Sequence, residues 1–164
     1  VSIHQKNLWP KSGHYILENG IINIPVEKGF DDLDFKHLIE EKLLNYFINF
    51  QPDVVLMQMG ADSLKDDYMS DMLLTNNAMS FIIKIFKSLF KNIIVMGGGG
   101  YNPWTTLRAW IYNLATLSAE EEKLNLDLSA KIFLKEITWK IKPKKNWIEE
   151  VIDKPNVFSD NVKL

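Results

Sequence analysis

The sequence predicts an α/β domain with a parallel sheet, and three observations carry that expectation. Two near-continuous apolar runs, Asp53–Met59 (DVVLMQM) and Ile93–Met96 (IIVM), are too short for helices lacking a polar face. They read as strands buried on both sides. Each run leads into glycine, Gly60 in the first case and Gly97 to Gly100 in the second. Stretches with helical apolar spacing separate and follow them. Strand–helix alternation of this kind belongs to parallel sheets, whose functional groups gather just past the carboxyl ends of the strands.

Taken in order, Val1–His4 reads as a short strand, Gln5–Asn19 as an irregular loop and Ile21–Pro25 as a second extended piece. From Asp34 to Phe50 the apolar residues Phe35, Leu38, Ile39, Leu43, Tyr46, Phe47 and Phe50 fall at helical intervals, and Gln51-Pro52 ends the helix. Leu64–Leu74 is an acidic loop. Thr75 or Asn76 caps a helix that runs to about Phe90. After the glycine run, Asn102-Pro103 pairs an N-cap with proline at the first helical position, opening a helix to about Ser118. Leu126–Ile141 holds a further helix or a short irregular piece. Lys142–Lys145 and the tail to Leu164 read as coil on the surface.

The chain has 164 residues, enough for one domain or part of one. A net charge of −2 gives no basis for binding nucleic acid or an anionic membrane. No apolar run reaches membrane-spanning length and no signal-peptide pattern opens the chain. The absence of cysteine excludes disulfides and thiolate metal sites and fits a reducing compartment, so a cytoplasmic protein is expected. The chain opens on VSIH, a strand without a leader or initiator methionine, so we expect it to be part of something larger. Arg108 is the sole arginine among 19 basic residues, which reads as a compositional habit.

Asp62 and Tyr101 stand at the ends of the two apolar strands. A carboxylate there serves as a metal ligand, a general base or a turn cap. A phenol there either donates a hydrogen bond to a developing oxyanion or packs over the next helix. The histidines His4, His14 and His37 are the other ligand types, and only His4 ends a strand. Trp9 and Met69 lie on loops and either cover a core edge or line a pocket. The Lys140–Lys145 stretch is most simply a solvated surface. The glycine run lacks G-x-x-x-x-G-K-[ST] and G-x-G-x-x-G spacing, which weakens a nucleotide-binding reading.

The strings MQMGADSLKDDYM and VMGGGGYNPWTTLRAW, with VSIH, WPKSG and NIPV upstream, resemble the zinc-dependent histone deacetylase family. The bacterial branch, the acetoin-utilization and histone-deacetylase-like amidohydrolases, is the nearer likeness. It continues through Phe133–Trp147 and so covers most of the chain. The resemblance implies a three-layer α/β/α fold of the arginase/deacetylase type. It also implies hydrolysis of acetyl-lysine, an acetylpolyamine or another acetylated amine at a zinc ion. Asp62 matches an aspartate zinc ligand and Tyr101 the tyrosine that hydrogen-bonds the oxyanion. Gly99 and Gly100 match glycines lining the substrate's alkyl channel, and Trp9 and Met69 match positions on its wall. Ser2 and Ile3 match residues bordering a structural monovalent-cation site, where potassium is expected.

The family also uses a His-His pair and an Asp-x-His pair, and neither occurs in this sequence. Residues 1–164 are therefore expected to be the C-terminal portion of one deacetylase-like domain, incomplete at its N-terminal side and inactive alone. A companion chain would then supply the missing half. The alternative is a non-catalytic remnant that binds acetylated ligands or a companion subunit in the same crevice. A strand edge left bare by the missing part would invite association.

Overall fold

The computed structural model describes residues 1–8, 11–18 and 20–154. Trp9 lies outside them. The strands are β1 (Ser2–Gln5), β2 (Ile16–Glu18), β3 (Ile21–Val26), β4 (Val55–Gln58) and β5 (Ile93–Met96). The helices are α1 (Asp32–His37), α2 (Leu44–Phe50), α3 (Asn76–Leu89), α4 (Pro103–Ser118), α5 (Leu128–Glu136) and α6 (Lys145–Glu149).

The helix starts follow from capping. Asp31 and Asp34 form a reciprocal capping box on α1. Thr75 accepts from the amide of Asn77 at the start of α3. Asn102 accepts from Trp104 and Thr105 at α4, with Pro103 at the first turn. The expected continuous helix over 34–50 is instead α1 and α2 joined by a π-helical segment, Leu38–Leu43. The cause is the spacing of its buried residues. Phe35, Ile39, Leu43 and Phe47 recur every four residues and are all buried. Three such steps overshoot three α-helical turns by about one residue. The wider i→i+5 winding keeps all four on the core side.

The single parallel sheet that was expected divides in two. One sheet has the order β1-β3-β2, with β1 parallel to β3 and β2 antiparallel to it. β2 arises inside the stretch read as irregular loop, turned by Gly20 at φ +76. The other sheet is the parallel pair β4-β5, in register from Val55↔Ile93 to Gln58↔Met96. A groove of about 1070 Å³ is lined by Ile3 and Ile22 from the first sheet and by Leu56 and Met57 from the second, together with Phe47 and Phe86. β4 and β5 are also less covered than expected. Leu56 is 63% and Ile94 52% exposed, because the α3 and α4 side of the pair is packed while the side bearing these two residues is open.

A second core joins α4 to the C-terminal elements. Trp104 and Trp147 stack with ring centroids 5.8 Å apart, and Trp104 Nε1 donates to the carbonyl of Leu134 at 2.8 Å. The expectation of surface coil beyond Lys142 is therefore corrected. α6 buries Trp147, and Val151 is buried beyond it. The compositional reading of Arg108 is corrected too. It is 1% exposed. Its Nε donates to the carbonyl of Glu150 at 2.7 Å and its Nη2 to Asp153 Oδ1 at 2.6 Å. Asn76 and Asn77 hold the same strap through the carbonyls of Val151 and Asp153.

A candidate catalytic crevice past strands β4 and β5

Because β4 and β5 run parallel and in register, the loops leaving their carboxyl ends emerge side by side. Their pairing continues beyond the strands. The amide of Met59 donates to the carbonyl of Met96 at 2.9 Å, and that of Ala61 to Gly99 at 2.6 Å. This brings the turn Ala61–Ser63 against the glycine run. The approach is too close for side chains. A Cβ on Gly98 would lie 2.8 Å from the Cα of Gly60, and a Cβ on Gly99 would lie 2.1 Å from Asp62 Oδ2. Gly100 has φ +151, a backbone that side-chain-bearing residues avoid.

The requirement at Gly99 can be tested directly. Gly99→Ala must push the Asp62 carboxylate aside, and we expect a stability loss of about 1–3 kcal/mol in urea unfolding. A variant as stable as its parent would show that the carboxylate is not held against Gly99.

Asp62 sits half-buried between Gly60 and Gly99. Burial holds its carboxyl above the ordinary aspartate value. A hydrogen bond from its own amide opposes that shift, and the charge of Asp67 adds to it. The carbonyl of Asp62 accepts from Ser70 Oγ at 2.6 Å, which ties the turn to the following loop. Tyr101 follows Gly100 with 48% of its surface exposed, so its phenol is free of the core. Met69 is equally exposed on the loop between β4 and α3.

That loop and the glycine run share a partner absent from our sequence reading. Asp67 accepts from the amide of Met69 through Oδ1 at 2.9 Å. Its Oδ2 accepts from the amides of Tyr101 at 2.7 Å and Asn102 at 3.1 Å. No local pattern announces this role, since two of the three partners lie 34 and 35 residues away. The same bonds bear on the nucleotide alternative. The amides at the entry to α4 that would greet a phosphate already bind this carboxylate.

The other expected residues are dispersed. Ser2 and Ile3 of β1 pair with Asn23 and Ile24 of β3, and both line the groove that also reaches Asp62 and Gly99. His4 packs against Gly13, where an added Cβ would meet its Nε2 at 2.7 Å. His37 is exposed on α1. Among the described residues no three of histidine, aspartate and glutamate converge on a point that would hold a metal. The lysine-rich stretch is solvated as expected, with Lys140, Lys142, Lys144 and Lys145 all exposed, and two of its lysines also touch the loop beside the crevice. Lys144 pairs with Asp66 at 2.6 Å, and Lys140 lies over the Tyr68 ring at 5.9 Å.

Residues 1–117 match the family described as "Histone deacetylase domain". The chain is 34% identical to the acetoin utilization protein AcuC of Staphylococcus xylosus, over 73% of this chain and 35% of that protein. It is 30% identical to histone deacetylase clr6 of Schizosaccharomyces pombe, over 72% of this chain and 31% of that protein. The crystal structure of an HDAC homolog from Aquifex aeolicus superposes with a TM-score of 0.80 at 32% identity, covering 93% of this chain and 44% of that one. An HDAC homolog complexed with SAHA superposes with a TM-score of 0.81 at 29% identity, covering 96% and 46%. The fold is thus the α/β fold of these proteins. The chain spans about a third of the length of the curated relatives and less than half of the solved structures.

Proposed function

Because the chain belongs to the histone deacetylase family, we propose that it forms the channel and oxyanion side of a zinc-dependent deacetylase acting on an acetylated amine. The substrate would be an acetylated lysine, an acetylpolyamine or a small acetylated metabolite, and the setting the cytoplasm. The carrying observation is the meeting of Asp62 with the Gly99–Tyr101 loop at the open ends of two adjacent parallel strands.

In this reading the Gly99–Gly100 segment borders the alkyl chain of the substrate, with Met69 on the facing loop. Trp9 is assigned to the same wall. The Tyr101 hydroxyl donates a hydrogen bond to the substrate carbonyl oxygen as negative charge develops there. Asp62 supplies one carboxylate ligand. Ser2 and Ile3 are assigned to the border of a potassium site.

The fit to zinc is incomplete within this chain. A zinc site needs about three protein ligands, and the described residues bring one to the crevice. Zinc, when bound, polarises a carbonyl and a water. The remaining ligands and the general base are assigned to a companion segment that bears Asp-x-His and paired histidines. Residues 1–164 then act as the C-terminal portion of a single domain. Since only one ligand is present, a second reading stands beside the first: a non-catalytic remnant that binds acetylated ligands or a partner subunit.

The test is metal content after dialysis against zinc, read together with acetate release from an acetyl-lysine peptide. The deacetylase reading expects neither from the chain alone and both once the companion segment is added, with Asp62→Asn losing the metal. Acetylated peptide bound with no acetate released in either mixture supports the remnant. Full metal content in Asp62→Asn would remove that residue from the ligand set.

A further inference from the structure

Asp67 is buried, with 8% of its surface exposed, and is followed by two residues open to solvent: Tyr68 is 44% and Met69 48% exposed. A carboxylate turned inward from an exposed loop loses hydration, and only hydrogen bonds to its charged form offset that loss. Asp67 has three, all from backbone amides, and they come from two loops. Oδ1 closes a turn on its own loop by accepting from Met69, two residues on. Oδ2 reaches across to the loop after β5 and accepts from both Tyr101 and Asn102.

Each cross-loop bond meets a need. Asn102 is the N-cap of α4, and the amide of an N-cap residue has no partner within its helix. In a capping box the third helical residue would accept from it; here Asp67 does so from another loop. Tyr101 follows Gly100, whose φ of +151 and missing Cβ leave the local chain little stiffness of its own. A second link runs alongside, from Asn102 Nδ2 to the carbonyl of Asp66 at 3.0 Å.

We propose that Asp67 is the positioning residue of the crevice, a single buried carboxylate that fixes Tyr101 and Met69 relative to one another. Resting on the roles given above to those two residues, this tie sets the distance between the hydroxyl that meets the carbonyl and the wall that meets the alkyl chain. Residues held in advance in this way lose less freedom on reaching the reactive geometry.

The experiment is residue-resolved amide hydrogen exchange on the full chain, together with the ring resonances of labelled tyrosines, in Asp67→Ala and Asp67→Asn. Neither readout needs metal or turnover, so failure of the deacetylase reading would leave this result standing, and the reverse holds. We expect exchange at Tyr101, Asn102 and Met69 to rise at least about tenfold in Asp67→Ala, while Phe81 to Ile85 in α3 stay within about twofold. The Tyr101 ring signal, assigned with Tyr101→Phe, should shift, while those of Tyr15, Tyr46 and Tyr112 hold. If Asp67→Ala does not fold, Asp67→Asn keeps the test. It retains one acceptor oxygen and should expose at least one side of the tie, the Met69 amide or the Tyr101 and Asn102 pair. Unchanged protection at all three amides overturns the proposal. So does a loss that spreads equally into α3, which would make Asp67 a general stability residue.

Discussion

Tyr101→Phe is expected to lower acetate release from an acetyl-lysine peptide by about 10²–10³-fold in the assembled enzyme, at unchanged zinc content. The substitution deletes one oxygen and little else. The Tyr101 ring is half exposed, and the contact that places the residue is made by its backbone amide to Asp67, which phenylalanine keeps. The melting temperature should therefore stay where it is, and the loss should fall on kcat rather than on KM. A hydroxyl that strengthens its hydrogen bond only as charge builds on the carbonyl oxygen contributes to the transition state and not to ground-state binding. Turnover near the parent's level would remove Tyr101 from the chemistry.

Arg108→Ala is expected to cost about 3 kcal/mol in urea unfolding, a fall of about 6–12 °C in melting temperature for a chain of this size. The guanidinium is almost wholly buried, and it grips the Glu150–Asp153 strap at two points, a carbonyl and a carboxylate. Truncation leaves Asp153 with the amide of Asn76 as its other partner, at 3.2 Å, and leaves the Glu150 carbonyl without its donor. The partly exposed Asp153 regains some hydration, which places the figure at the low end for a broken buried pair. Arg108→Lys should fall between the two, since an ammonium cannot reproduce the forked donor geometry. A loss below about 1 kcal/mol in the alanine variant would mean that the strap is held by Asn76, Asn77 and the buried Trp147 without Arg108.

Much of the candidate crevice was legible because it rests on local signals. The apolar runs of β4 and β5, the Asn102-Pro103 cap and the glycine run each declare themselves within a few residues. Asp62 and Gly99 become neighbours as soon as the two strands pair in parallel. The illegible parts depend on distant partners. Asp67 looks like any acidic loop residue until the amide of Tyr101 arrives from 34 residues on. Arg108 looks like a compositional habit and Trp147 like part of a tail until they meet Asp153 and Trp104. The π-helical segment lay between these cases. Its four-residue spacing was in view, but one helix accommodates that spacing only once the core decides which face wins. The division of the sheet and the open side of β4 and β5 could not be read from apolar content, because a run that is apolar on both sides predicts cover without naming what provides it.

The register of β4 with β5 has a further consequence for inheritance. Asp62, Asp67, Met69, the glycines and Tyr101 all fall within one continuous interval, and helix α3 is the crossover that joins its two ends. Exchange of genetic material at the flanking breaks, Gln51-Pro52 before β4 and Ala119 after α4, would move the carboxylates, the glycine run and the phenol together, already in their mutual order. A lineage could thus duplicate or transplant this portion without dispersing its parts. Drift should accordingly be slow at Gly98 and Gly99, where an added Cβ collides with Gly60 and Asp62.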